Sequence, residues 1–163
     1  MKVAIFFGSK SDTESMKKAA AVLKEFGVDY KAFVISAHRA GELLRKTVSQ
    51  VEADGFEVIV AGAGLAAALP GVIAGMTTLP VIGVPLECVS DKSNGLGGMD
   101  ALLSIVQMPP QIPVATVGIG NAKNAAYLAV QILSIKYPEL KEKLLAFRKK
   151  LADDAQSNKD IEL

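Results

Sequence analysis

Residues 3–12 read VAIFFGSKSD, and the pattern of these ten positions recurs down the chain. Val3–Phe7 is apolar throughout with no alternating polar residue, the pattern of a strand whose sheet is covered on both faces. Gly8 breaks the run, and Ser9, Lys10, Ser11 and Asp12 supply polar groups. Thr13–Phe26 then sets Met16, Ala19, Ala20, Leu23 and Phe26 at helical spacing, and Gly27 stops the helix. The same unit of strand, polar turn and helix repeats. Lys31–Ile35, Val58–Ala61, Val81–Val84 and Val114–Ile119 read as further strands. Leu43–Ala53, Pro70–Met76, Gly98–Val106 and Ala122–Tyr137 read as helices.

Strands alternating with helices at this pitch predict a three-layer α/β domain around a parallel sheet. Five strands suit a flavodoxin-like sheet of order 2-1-3-4-5. A length of 163 residues predicts one domain, 1–163, with an α/β core over 1–137 and an extra C-terminal helix over 138–156. That helix carries Leu140, Leu144, Phe147 and Leu151 on one stripe and many lysines opposite. It follows the last strand, so it either folds back on its own domain or docks on a neighbouring subunit. The polar residues 157–163 predict a frayed end.

Composition removes several function classes. Eighteen Lys and Arg against 17 Asp and Glu leave a formal charge of +1, too little to hold a nucleic acid. With one cysteine, Cys88, the chain forms no internal disulfide and offers no Cys-rich metal site; with one histidine, His38, it has no multi-His zinc site. The apolar start is shorter than a signal-peptide core. Val58–Val89 is interrupted by Gly and Pro, where a spanning helix needs about 20 uninterrupted apolar residues. The expectation is a soluble, cytoplasmic protein with no membrane partner.

In open α/β sheets ligands bind beyond the carboxyl ends of the strands. The first such loop, Gly8–Asp12, offers a small residue, two hydroxyls and a carboxylate. Asp12 either caps the following helix or binds sugar hydroxyls. The loop lacks P-loop spacing, which disfavours nucleoside triphosphate hydrolysis. After the second strand come Ser36-Ala37-His38-Arg39. Arg39 suits a phosphate, and His38 exchanges a proton near neutral pH without a metal, although each residue type is more often structural. The third loop runs from Ala61 through Gly62, Ala63 and Gly64 to Leu69-Pro70-Gly71. Its small residues serve either a close-lying ligand or close helix packing, and its spacing does not fit a dinucleotide fingerprint. The fourth, Leu86–Gly98, is long and glycine-rich, either disordered or a lid. Cys88 within it reads as a tolerated thiol.

Four motifs in this order, GSKSD at 8–12, SAHR at 36–39, AGAG at 61–64 with LPG at 69–71, and SIVQMP at 104–109, resemble the class I PurE enzymes, the 5-(carboxyamino)imidazole ribonucleotide mutases of purine biosynthesis. The resemblance runs from Met1 to Tyr137 with the C-terminal helix in the expected place. It implies an isomerase without metal or cofactor that moves a carboxylate from the exocyclic nitrogen to carbon 4 of an imidazole ribonucleotide. By the same resemblance Gly8, Ser9, Ser11, Asp12, Ser36 and Arg39 hold the ribose and phosphate, and His38 handles the proton. Ala63, Gly64, Leu69 and Pro70 then line the pocket around the carboxylate, and the chain forms a homo-octamer in which the C-terminal helix packs between subunits.

Two departures stand out. The third loop of the family usually reads AGAGGAAHLPG, with an extra Gly and a second His, whereas Leu65 and Ala68 stand here at those positions, and the loop before Gly98 is longer than usual. The remaining motifs are intact, so a dispensable second histidine is the reading taken.

Two alternatives remain at this stage. One is the related class that carboxylates aminoimidazole ribonucleotide directly, which usually carries SAHK rather than SAHR. The other is a non-catalytic nucleotide-binding module of flavodoxin-like fold. A receiver domain is disfavoured because Ala61, not Asp, ends the third strand. A flavin site is disfavoured because the chain has no Trp and Tyr30, Tyr127 and Tyr137 fall outside these loops.

Overall fold

The structure is a computed structural model that describes residues 1–90, 93–157 and 159. In chain order it contains β1 (Lys2–Phe7), a 3₁₀ turn at Lys10–Asp12, α1 (Thr13–Phe26), β2 (Asp29–Val34), α2 (Gly41–Ala53), β3 (Val58–Gly64) and α3 (Leu69–Ala74). There follow β4 (Val81–Leu86), the short strands β5 (Val89–Ser90) and β6 (Ser93–Asn94), α4 (Met99–Val106), β7 (Ala115–Thr116), α5 (Ala122–Ser134) and α6 (Pro138–Ser157). The main sheet is parallel in the order β2-β1-β3-β4-β7, the flavodoxin-like order expected.

Alternate side chains of each central strand enter opposite cores. Val3, Ile5 and Phe7 of β1, with Val58 and Val60 of β3 and Ile82, Val84 and Leu86 of β4, pack with α1, α5 and α6. Ala4, Phe6, Ile59, Ala61 and Ala63 pack on the other side with α2, α3 and α4. These strands are apolar on both faces because a helix layer covers each. The layers sit close because glycines face them: a Cβ on Gly62 would overlap Met16 of α1, and one on Gly83 would overlap Ile105 of α4.

The register sets the active edge. Phe7 pairs with Val34 and with Gly62, and Gly64 pairs with Leu86, so β1 to β4 finish in one row. Helix α1 matches its predicted span and ends as expected, with Gly27 at φ 72° and Val28 N donating to Leu23 O at 2.9 Å.

The sequence reading needs three corrections. Edge strand β2 is not covered on both faces: five of its six residues are exposed, including Tyr30 and Val34, because among the described residues no helix lies outside it. The fifth main strand is only Ala115–Thr116. Beyond it Val117 N and Gly120 N still donate to Gly83 O and Pro85 O, but Gly120 at φ 69° turns the chain away from the ladder. Helix α5 stops at Ser134 rather than Tyr137, and Pro138 opens α6.

The first half of α6 folds back on its own domain. Leu140 and Leu144 are buried, Phe147 stacks on Tyr127 and meets Phe26 edge-on, and Lys143 Nζ donates to Phe26 O at 2.8 Å. From Arg148 onward every residue to Ser157 is exposed. Most of the tail expected to fray, 158 and 160–163, lies outside the described residues, while Ser157 is still helical. Among the described residues no helix is long and apolar enough to cross a membrane.

Gly83→Ala tests the close layering. The new Cβ would overlap Ile105 and lie 2.9 Å from Val114 Cγ1, so chemical denaturation should show a loss of about 1–3 kcal/mol, the usual cost of overpacking. An unchanged midpoint would contradict this packing.

Candidate functional site

The turns beyond the strand ends enclose a cavity of about 280 Å³. Beside Phe7 the chain forms a reciprocal cap: Ser11 N donates to Ser9 Oγ at 3.3 Å, and Ser9 N donates to Asp12 Oδ2 at 3.1 Å. Ser11 Oγ lies 2.9 Å from Ser9 Oγ and 3.4 Å from Asp12 Oδ1. Asp12 therefore closes its own loop rather than capping α1 with its side chain. Gly8 has a negative φ and no atom within 4 Å of where a Cβ would stand, so the space above it is open to a ligand.

Past β2, Ile35 N donates to Phe7 O at 3.0 Å and extends the ladder by one residue. Ala40 N then donates to Ser36 O at 2.9 Å and closes the turn that presents His38 and Arg39. Both side chains are exposed and line the cavity. Among the described residues no carboxylate pairs with Arg39, which leaves its guanidinium available to an anion.

Past β3, a Cβ on Gly64 would lie 3.1 Å from Leu86 O, so glycine lets β3 end close against β4. Leu65 follows at φ 54° and Ala67 at φ 20°, with Ala67 N donating to Gly64 O at 3.1 Å. A left-handed non-glycine residue costs on the order of 1–2 kcal/mol. Past β4, Glu87 and Cys88 complete the wall.

Ten of the eleven residues singled out by the sequence meet in this cavity: Gly8, Ser9, Ser11, Asp12, Ser36, His38, Arg39, Ala63, Gly64 and Leu69. Pro70 does not. It is buried in the first turn of α3, under β4 and near the position a Gly83 Cβ would take. The SIVQMP motif also lies outside the lining: Met108 packs where a Gly71 Cβ would point, so the motif braces α3. Glu87, Ala37 and Ala67 line the cavity without having been singled out. Glu87 was legible in principle, since it directly follows a strand. Within the long fourth loop β5 and β6 pair as a small antiparallel hairpin, while 91 and 92 lie outside the described residues.

The charges are unevenly held. Burial pushes the Asp12 carboxyl above its ordinary value of 3.8, against the opposing pull of the Ser9 N–H and the Ser11 hydroxyl. Among the described residues no three His, Cys, Asp or Glu side chains gather closely enough to hold a metal ion. The arrangement offers an anion site at Arg39, hydroxyl and carboxylate partners for a sugar, one imidazole for proton transfer, and a small-residue floor.

A turn-built cavity of this composition on a doubly wound sheet is that of a small-molecule enzyme. Residues 2–154 match the family model described as AIR carboxylase, and the chain belongs to that family. It is 61% identical over 147 residues to the N5-carboxyaminoimidazole ribonucleotide mutase of Pyrococcus abyssi, covering 90% of this chain and 82% of that protein. It is 52% identical over 158 residues to the protein of the same name from Saccharolobus solfataricus, covering 97% of each. Among solved structures it is similar to Treponema denticola PurE, with a TM-score of 0.80 and 30% identity, covering 98% of this chain and 99% of that one.

Because the folded state raises the Asp12 pKa, the folded protein holds this proton more tightly than the unfolded chain does. That contribution is present below the unfolded value and is lost as pH rises through the folded one. Asp12→Asn keeps an oxygen to accept from Ser9 N and removes the titration. Its stability relative to the parent should therefore rise between pH 3 and pH 7 in urea titrations. Parallel profiles for the two proteins would refute the assignment.

Proposed function

We propose that this enzyme is an N5-carboxyaminoimidazole ribonucleotide mutase of purine biosynthesis, moving the carboxylate from the exocyclic nitrogen to carbon 4 of the imidazole. The observation that carries this reading is that His38 and Arg39 stand on one turn facing a single cavity with the Ser9–Asp12 cap and the Ala63–Gly64 floor. Its support from relatives is their shared name, at 48–61% identity over most of the chain.

In this reading Arg39 grips the phosphate, while Ser9, Ser11, Asp12 and Ser36 hold the ribose and phosphate oxygens. The N–CO₂ bond breaks, carbon dioxide leaves, and His38 gives its proton to the nitrogen. The ring, now enamine-like, attacks the trapped carbon dioxide through carbon 4, and His38 takes the proton that carbon 4 sheds. One imidazole thus serves both halves with no net proton change. Capture is effectively intramolecular if carbon dioxide stays in the cavity. No metal or cofactor has a role. Direct carboxylation of aminoimidazole ribonucleotide is the second reading, favoured by the family description; the names of the close relatives and Arg39 in SAHR favour the mutase. A non-catalytic module would leave His38 without a use.

The chain also forms a homo-octamer in this reading. Support comes from apolar side chains open on the single chain: Tyr30 and Val34 on β2 are 43% and 45% exposed, and Leu103 and Val106 on α4 are 52% and 49% exposed. The free half of α6 is a further contact. Sedimentation should show eight chains, and a 17.1 kDa monomer at working concentration would refute assembly.

His38→Asn should retain ligand binding and lose about 10²–10⁴-fold in turnover. Arg39→Ala should mainly raise KM, because a phosphate contact is made in ground and transition states alike. Assays with each candidate substrate, with and without bicarbonate, separate the mutase from the carboxylase. Near-normal turnover of His38→Asn would remove the acid–base role.

A further inference from the structure

The third loop holds an apolar side chain in a strained backbone conformation at the mouth of the cavity. Leu65 lies in the left-handed region at φ 54°, lines the cavity and is 40% exposed. Backbone strain of this kind persists only where the surrounding structure enforces it, and it gathers at functional sites. The enforcement is visible. A Cβ on Gly64 would crowd Leu86 O at 3.1 Å, so Leu65, the next residue, is the first after β3 with an unhindered reach toward the opening.

The direction of the side chain is as informative as its strain. Leu65 Cδ2 lies 3.6 Å from the Cβ position of Gly95, and that same position is 3.4 Å from Cys88 Cβ. Gly95 is where the chain returns from the β5–β6 hairpin. Leu65, Gly95 and Cys88 thus form a bridge from the β3 turn to the β4 turn at the rim of the cavity. A larger residue at Gly95 would close the remaining gap, and a smaller one at Leu65 would open it.

We propose that Leu65 is a specificity-determining residue that seals the cavity against exchange of carbon dioxide with solution. The inference rests on the mutase reading. Carbon dioxide is small and has no hydrogen-bond donor, so polar partners cannot retain it; a water-excluding apolar wall can. A seal of this kind makes the carbon released from nitrogen the carbon recaptured at carbon 4, and it disfavours dissolved carbon dioxide as the source.

The test measures partition rather than speed. Wild type, Leu65→Gly and Leu65→Ala are given N5-carboxyaminoimidazole ribonucleotide in ¹³C-bicarbonate, with enzyme-free blanks subtracted. Two quantities are read per substrate consumed: decarboxylated aminoimidazole ribonucleotide released, and ¹³C in the carbon 4 product. Both should rise about tenfold in both variants, at the lower end of what apolar groups in a pocket discriminate. Leu65→Gly should also melt no lower than wild type, since glycine relieves the strain. If Leu65→Gly fails to fold, Leu65→Ala decides, because it keeps the backbone and loses only the reach to Gly95. Unchanged leakage and label in Leu65→Ala overturn the seal while leaving the mutase reading intact. A wild type that does not convert the substrate overturns the mutase reading itself.

Discussion

A parallel strand buried on both faces has nowhere to put polar chemistry except at its ends, and this constraint organises the molecule. β1, β3 and β4 carry apolar side chains into two cores, and among the described residues no polar side chain is fully buried. The register then lines up the strand ends, with Phe7 beside Val34 and Gly62, and Gly64 beside Leu86. Asp12, His38, Gly64 and Glu87, far apart in the chain, reach one cavity without any long loop having to carry them there.

The same close packing governs the details of that cavity. Glycines at 62 and 83 let α1 and α4 approach the sheet, and the glycine at 64 lets β3 end against the Leu86 carbonyl. Directly after Gly64, Leu65 stands at φ 54° on the rim. On the opposite wall, the Ser9 N–H and Ser11 hydroxyl hold Asp12 in place while burial works against its charge. A ribose hydroxyl donating to that carboxylate would add to the stabilisation of the charged form, so ligand binding and the ionisation of Asp12 favour each other. Arg39 has no carboxylate partner among the described residues, so an anion placed there would bind at no cost of breaking an ion pair.

Much of this was legible in the sequence because two signals agreed. Runs such as Val3–Phe7 and Val58–Ala61 are too apolar and too short for anything but doubly covered strands, and the polar residues directly after them found most of the lining. What sequence reasoning missed has physical reasons. The Lys31–Ile35 run reads as buried because Ala32–Ile35 are apolar, but burial of an edge strand depends on what lies outside the chain. The Val114–Ile119 run satisfies a strand pattern, yet only Ala115–Thr116 pair in the ladder, and Gly120 at φ 69° turns the chain away beyond them. Pro70 sits in a loop motif but serves helix packing, a distinction spacing does not make. Glu87 lines the cavity because β4 runs on to Leu86, two residues past the Val81–Val84 run that marks the strand in the sequence.

The exposed edge and the site are mechanically linked. The turn carrying His38 and Arg39 leaves the carboxyl end of β2, and a backbone bond from Ile35 N to Phe7 O ties its entry to the sheet. β2 is held along one side only, by β1. Of the outer strand's side chains, Phe33 stacks on Phe6 at 4.9 Å, while Tyr30 and Val34 stay open to water. A neighbouring chain covering Tyr30 and Val34 would therefore stabilise the strand that leads into the His38 turn, since ordering of β2 and of its terminal turn share the same ladder. In the octameric reading, assembly and catalysis thus draw on the same strand, and the apolar residues that make β2 a poor edge in the monomer are those that make it a firm support in the assembly.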